Sequence, residues 1–308
     1  MSTILGFNQT HMMNNLTNNK CVLDLSAINK IKAILPQYRQ TVRWPGGTEA
    51  NTYNCEMWGY STQGQDAKWS RNQINAFDRF LQLSAQMGWS VVLVLNVYEE
   101  YMNPNLQSER TRQNMLMIQK TIDAGINIEY IELGNELNIW IDKKKIKNSD
   151  YNKDKANYDR EISRYYNISI RYYNLIKEEC PNLKIAAVYA DDLNARDRAW
   201  QTVFRSGPWD GLVVHLYESS TDKSKWLSNV QKLVANANLY EKDLLITEWA
   251  WKLGPSPNSA AYKTNSTSSL INQYHAEGWN IMSVAGVKIA CFHRITGVGN
   301  HPYNYVKF

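Results

Sequence analysis

A chain of 308 residues, 44% of them hydrophobic, can bury a large core, which excludes a mainly disordered protein. Its 34 basic and 29 acidic residues leave a formal charge of +5, too modest at this length to announce nucleic-acid binding. No stretch approaches the roughly 20 apolar residues of a membrane span, and Met1–Gly6 has neither the charged nor the apolar region of a secretion signal. The expectation is therefore a cytoplasmic protein, or one exported by a signal outside this chain, with no nucleic-acid or membrane partner.

In chain order, short apolar and β-branched runs at Ile4–Phe7, Thr41–Trp44, Val91–Val97, Ile128–Leu133, Lys184–Tyr189, Gly211–Tyr217, Leu244–Thr247 and Val287–Phe292 read as strands. Several are nearly continuous apolar runs, as parallel strands covered on both faces require. Helical patterns separate them. Ser26 precedes Ile28, Ile31 and Leu35, and Pro36 closes that stretch. Ser70 and Gln73 form a capping box before Ile74, Phe77 and Leu81, with Gly88 as the stop. Met115, Ile118 and Ile122 precede Gly125. Later stripes are Trp226, Val230 and Leu233, then Leu270, Tyr274 and Ile281 before Gly286.

Eight strands alternating with helices predict a βα repeat. Helix-to-strand connections are short, as at Met87–Ser90, Gly125–Asn127 and Cys180–Leu183. Strand-to-helix connections are long, as at Pro45–Trp69, Tyr98–Gln107 and Ile139–Lys153. Barrels carry their functional loops after the strands, so the asymmetry favours an α/β fold closed as one (β/α)8 TIM barrel over residues 1–308.

The four cysteines (Cys21, Cys55, Cys180 and Cys291) form no Cys-x-x-Cys pair and have no His at ligand spacing. Free thiols are expected rather than a zinc site or a disulfide framework. No metal-ligand cluster is visible, no cofactor is expected, and the oligomeric state cannot be read. Eleven Trp and 19 Tyr stand against 6 Phe. Rings with an apolar face and a polar edge suit a wet ligand.

Chemistry concentrates at two strand ends. Ile131-Glu132-Leu133-Gly134-Asn135-Glu136-Leu137-Asn138 closes the fourth predicted strand, and Leu244-Leu245-Ile246-Thr247-Glu248-Trp249-Ala250-Trp251 closes the seventh. Those strands lie on roughly opposite sides of a barrel mouth. Cleaving a glycosidic bond needs one protonated carboxyl for the leaving oxygen and one ionised carboxylate at the anomeric carbon. Glu136 and Glu248 can supply that pair, and a bell-shaped pH profile would follow. Glu132 shares the parity of Glu136, so it should point into the barrel and need a partner. His215 and Tyr217 are candidates for ligand contact, Trp249 for a subsite wall, and Trp44 and Trp140 are weaker candidates. Lys143-Lys144-Lys145 with Lys147 reads as a solvated run, with attraction of an anionic sugar as the sharper alternative.

An Asn-Glu ending strand four with a Glu ending strand seven resembles clan A of the glycoside hydrolases. Ile131–Asn138 looks like the acid/base segment of heparanase-type glucuronidases. Thr247-Glu248-Trp249 looks like the nucleophile segment of the β-xylosidase and iduronidase group. Arg43-Trp44-Pro45-Gly46-Gly47-Thr48 is similar to the Arg-x-Pro-Gly-Gly segment of arabinofuranosidase- and heparanase-like enzymes. The resemblance implies a retaining glycosidase acting on a poly- or oligosaccharide, and the lysine run leaves an acidic glycan open. Glu136 would be acid/base, Glu248 nucleophile and Asn135 the partner of a sugar 2-hydroxyl. Tyr217 would orient Glu248, with Arg43 beside it. Where many clan members end strand eight with Trp, this chain has Phe292-His293-Arg294. The rival expectation is a barrel that has lost catalysis and binds glycan or serves as a structural module.

Overall fold

The structure is a computed structural model that describes residues 3–8, 41–56, 76–139, 155–190, 195–218, 222–251 and 268–293. Eight strands pair in parallel and in chain order: β1 (Ile4–Asn8), β2 (Thr41–Trp44), β3 (Ser90–Val94), β4 (Ile128–Leu133), β5 (Ile185–Val188), β6 (Gly211–Glu218), β7 (Asp243–Trp251) and β8 (Ile289–His293). β8 returns to pair with β1 and closes the barrel.

Parallel neighbours need a crossover between them, and helices supply it. α1 (Ala76–Met87) precedes β3, and α3 (Gln107–Asp123) precedes β4. α4 (Lys155–Glu179), α5 (Ala195–Phe204), α6 (Lys223–Asn238) and α7 (Ser268–Ala285) follow in the later connections. The connection from β3 to α3, expected as a loop, holds a short helix α2 (Tyr98–Met102) and a 3-10 turn (Pro104–Leu106). The helix expected after Ser26 lies outside the described residues, as does the capping box at Ser70. Among the described residues no helix is long and apolar enough to cross a membrane.

The period-2 alternation of each strand divides the core in two. Ile4, Val92, Tyr130, Ala186, Val213, Leu245, Ile289 and Cys291 point inward and plug the barrel as one cluster. Phe7, Val42, Leu93, Ile131, Leu212, Ile246 and Phe292 point outward against the helices. Tryptophan and tyrosine fill much of the outer layer. Tyr165 of α4 stacks on Trp200 of α5 at 5.3 Å, and Trp200 on Phe204 at 4.8 Å. Trp44 stacks on Phe80 of α1 at 4.2 Å, fully buried, so it is a core residue. Of the cysteines, Cys55 and Cys291 are buried and Cys180 half-buried, all three as free thiols. Burial pushes the Cys55 thiol up to about 11, so it stays protonated at neutral pH.

One irregularity decides what the mouth of the barrel contains. On β6, Val213 and His215 are two residues apart, yet they pair with Leu245 and Glu248 of β7, three apart. Against β8 the same excess appears, with Ile246 opposite Ala290 and Trp249 opposite Phe292. β7 therefore carries one extra residue, a bulge, and the bulge reverses which face each later side chain takes. Glu248 turns inward because of it, and Trp249 turns outward.

Candidate active site

β4 ends at Leu133 and the chain leaves it sharply. Gly134 has φ 96°, and a Cβ there would lie 2.6 Å from both Leu137 Cδ1 and Val97 Cγ2, so only glycine fits. Glu136 itself has φ 50°, a left-handed conformation that costs a non-glycine residue about 1–3 kcal/mol. Such strain persists where the surroundings impose it. Here it aims the carboxylate over the mouth instead of along the strand, so the parity argued for Glu136 does not apply.

Glu248 sits opposite, its side chain only 6% exposed, while that of Glu136 is 22% exposed. Four groups face the two oxygens of Glu248. Asn8 Nδ2 donates to Oε2 at 2.8 Å and Arg43 Nη1 donates to Oε2 at 3.2 Å. The Tyr217 hydroxyl donates to Oε1, and His293 Nδ1 lies 3.3 Å from that same oxygen. Burial alone would raise the pKa of Glu248. The charges of His293, His215 and Arg43, with the Tyr217 hydroxyl, overcome this and hold it at about 2. Glu248 is thus a permanent carboxylate above mildly acidic pH.

Glu132, expected to point inward and need a partner, has one: Arg43. The guanidinium forks on it, with Nε donating to Oε2 at 2.8 Å and Nη2 to Oε1 at 2.6 Å. Both side chains are 0% exposed. Arg43 Nη2 also donates to Asn135 Oδ1 at 2.9 Å, and Nη1 to Asn8 Oδ1 at 3.2 Å. One guanidinium therefore ties β1, β2, β4 and β7 together under the mouth. Burial would depress its pKa, but Glu132 and Glu248 raise it, so Arg43 remains charged.

His215 bridges the two sides. Its Nδ1 is 3.1 Å from Glu136 Oε1, and its Nε2 is 3.4 Å from Thr247 Oγ1. Burial works against a charged imidazole, but Glu248, Glu132 and Glu136 together raise it to about 9. Stability should follow. The His215 contribution is complete below its ordinary value of 6.5 and is lost as pH rises through about 9. The Glu248 contribution is complete above its ordinary 4.5 and is lost as pH falls toward about 2. Thermal midpoints measured across pH should plateau between about 4.5 and 6.5 and fall on both sides. The variant H215Q should flatten the alkaline fall and also shrink the acid one, because the His215 charge is among those that hold Glu248 low.

One ligand atom each from Glu136, His215 and Glu248 can be chosen so that all three lie within 4.8 Å of one another, a spacing that could also suit a metal ion. The permanent charge of Arg43 at 3.2 Å and the proton that His215 keeps up to about pH 9 both oppose a dication there.

Of the residues singled out in the sequence, Arg43, Asn135, Glu136, His215, Tyr217 and Glu248 meet at the mouth. Trp249 does not and is a correction. It is fully buried, edge-on to Trp279 at 4.8 Å and to Phe292 at 5.1 Å. Gly278 of α7 is the close neighbour that admits it, since a Cβ there would lie 2.3 Å from the Trp249 ring. The bulge put it among the helices. Trp140 and Lys143–Lys147 lie outside the described residues.

Sequence reasoning missed Asn8 and the role of His293. The signal was available: each ends its strand in the inward register of Ile4 and Gly6, or of Ile289 and Cys291. Asn8 Nδ2 lies 2.7 Å from His293 Nδ1 as well as 2.8 Å from Glu248. Arg43 can only donate and the Glu248 carboxylate only accept, so the Asn8 amide has one consistent orientation.

No family model matches the sequence, and no curated protein does. Solved structures do match. An α-L-arabinofuranosidase from Thermotoga maritima, in complex with arabinose, aligns with a TM-score of 0.55 at 16% identity, covering 99% of this chain and 66% of that one. A Bacteroides uniformis β-glucuronidase covalently bound to cyclophellitol-6-carboxylate aziridine gives 0.57 at 9% identity, over 94% of this chain and 30% of the other. A fungal β-1,4-galactanase gives 0.55 at 14% identity, over 95% of this chain and 89% of the other. The chain thus spans about two thirds of the arabinofuranosidase and under a third of the glucuronidase. At these identities the likeness is one of fold, and this chain has the closed (β/α)8 barrel on which those arabinofuranosidases, glucuronidases and galactanases are built.

Proposed function

We propose that the chain is a retaining glycoside hydrolase of clan A, with Glu248 as nucleophile and Glu136 as general acid/base. One observation carries the reading: two carboxylates face each other across the barrel mouth with oxygens within 4.8 Å, one held ionised at about 2 and nearly buried, the other more open. Retaining glycosidases need carboxyl groups about 5–5.5 Å apart, whereas inverting ones leave about 6.5–9.5 Å for a water. An oxygen of each within 4.8 Å of the other is closer than the gap an inverting pair leaves, and this supports the retaining reading. The arabinose and the covalent aziridine held by the structural neighbours support a carbohydrate as the substrate class.

In this mechanism Glu248 attacks the anomeric carbon as Glu136 gives its proton to the departing glycosidic oxygen. The ring is then bound covalently to Glu248. Glu136, now ionised, takes a proton from water, and that water's oxygen displaces Glu248 at the same carbon. Arg43, Asn8 and Tyr217 hold the nucleophile in place through both steps. Asn135, whose Oδ1 accepts from Arg43 at 2.9 Å, would meet a sugar 2-hydroxyl in this mechanism.

The test is cleavage of a panel of neutral and acidic oligosaccharides and aryl glycosides, with the first-formed product anomer read by NMR. The expected result is release of product with the anomeric configuration kept. An inverted first product would remove Glu248 from the nucleophile role. Glycan binding with no cleavage of any panel member would replace the reading with that of a binding barrel.

A further inference from the structure

Away from the mouth, between α4 and the α2–α3 corner, lies a groove of about 480 Å3. One wall is a single face of α4. Arg160, Ser163, Arg164, Asn167 and Arg171 recur there at i, i+3, i+4, i+7 and i+11, the spacing of one helical stripe. Tyr158, Ile162, Tyr165, Tyr172 and Ile176 occupy the buried side of the same helix. The facing wall is Pro104 and Gln107, with Glu100 at its base.

The charges in this groove do not cancel. Arg171 Nη2 donates to both oxygens of Glu100, at 2.5 and 2.6 Å, which neutralises that pair. Arg164 instead lies over the Tyr101 ring, 5.1 Å from its centroid, and Arg160 bonds the Asn157 amide. Among the described residues neither has a carboxylate partner. Stacking on an aromatic face fixes the plane of a guanidinium while leaving its N–H edge for a ligand. Ser163, Asn167 and Gln107 add neutral hydrogen-bonding groups, and Pro104 and Ile168 add apolar surface. Anionic groups for the arginines, hydroxyls for the amides and a C–H face for Pro104 and Ile168 together describe an acidic sugar.

We propose that this groove is a secondary binding site for an acidic oligosaccharide, whose carboxylate or sulfate groups are held by Arg160 and Arg164. The sugar character of the ligand rests on the glycosidase reading; the anionic character does not. α2 and the following turn belong to the connection after β3, and the α4 stripe starts six residues into the helix that follows β4. Both are on the side of the barrel where strands end and substrate enters. The groove would retain an acidic polymer beside the mouth.

The test uses the full chain carrying Glu248→Gln, so that no probe is consumed, with and without Arg160→Gln and Arg164→Gln. Binding is measured calorimetrically for an oligogalacturonate, a sulfated oligosaccharide of the same length, a neutral galactose oligomer and inorganic sulfate. The two acidic oligomers should bind at least about tenfold more weakly to the arginine variant. Higher salt should weaken them in the parent, and lysine at both positions should restore part of the affinity. The neutral oligomer should not distinguish the variants. A preference for one acidic oligomer identifies the anionic group. Equal binding of acidic oligomers by parent and variant, or their failure to bind at all, overturns the proposal. Inorganic sulfate binding as tightly as the oligomers overturns the saccharide assignment. A shared melting temperature excludes misfolding as the cause, since Arg160 is exposed and Arg164 half-buried. Turnover by the chain with Glu248 intact is read separately, so failure of the glycosidase reading and failure of the groove give different results.

Discussion

Glu248→Ala is expected to lower kcat by roughly four orders of magnitude or more on any substrate the chain cleaves, a loss typical of removing a residue that acts in the bond-making step. The surrounding groups, acting against burial, would otherwise keep this carboxylate ionised and aimed. Sodium azide should restore part of the rate, because a small anion fits the space vacated by the carboxylate. The azide attacks the anomeric carbon directly, so its product should be the glycosyl azide of inverted configuration. Azide should not restore inverted product in Glu136→Ala, where the nucleophile is intact. Undiminished turnover in the Glu248 variant would remove it from the mechanism. Loss of turnover without rescue, in a protein that still melts like wild type, would leave it as a binding group only.

Arg43→Met is expected to have the largest effect on stability. It leaves the Glu132 carboxylate, 0% exposed, with no guanidinium among the described residues and only the more distant His215 Nε2 at 3.9 Å, and it takes one of the donors from Glu248. Breaking one partner out of a buried ion pair costs about 3–5 kcal/mol. A chain of this size loses roughly 2–4 °C of melting temperature per kcal/mol, so a fall of about 10 °C is expected. Removing both charges together, as Arg43→Met with Glu132→Leu, should recover most of that fall, because no charge is then left unpaired. A double variant as unstable as the single one would point to lost packing and not to the stranded carboxylate. Neither variant should keep full activity, since Glu248 loses the Arg43 contact in both.

The barrel was legible in the sequence because its information is local. Parallel strands covered on both faces must be largely apolar along their length, and Val91–Val97 or Gly211–Tyr217 look like little else. The capping and stop residues, such as Gly88 and Gly125, mark the helices between them. Arg43, Asn135, Glu136 and Glu248 were legible for a related reason. A carboxylate or guanidinium at the end of an apolar strand breaks the pattern where a barrel opens. The helix inside the β3–α3 connection was not legible, because Tyr98–Met102 is too short to show a period.

What the sequence determined by itself is the number and order of the strands, the closed barrel they imply, and the chemistry-bearing residues near the ends of β2, β4, β6 and β7. Only the tertiary structure decided which of those residues meet. Glu132 needed a buried cation, and Arg43 lies 89 positions away along the chain. Asn8 and His293 come together from nearly opposite ends of the sequence because closure pairs β8 with β1. Glu248 faces the mouth and Trp249 the helices because β7 carries one residue more than its neighbours. Strand register is set by pairing on both sides, and an extra residue reverses every side chain beyond it. No pattern within β7 alone contains that information.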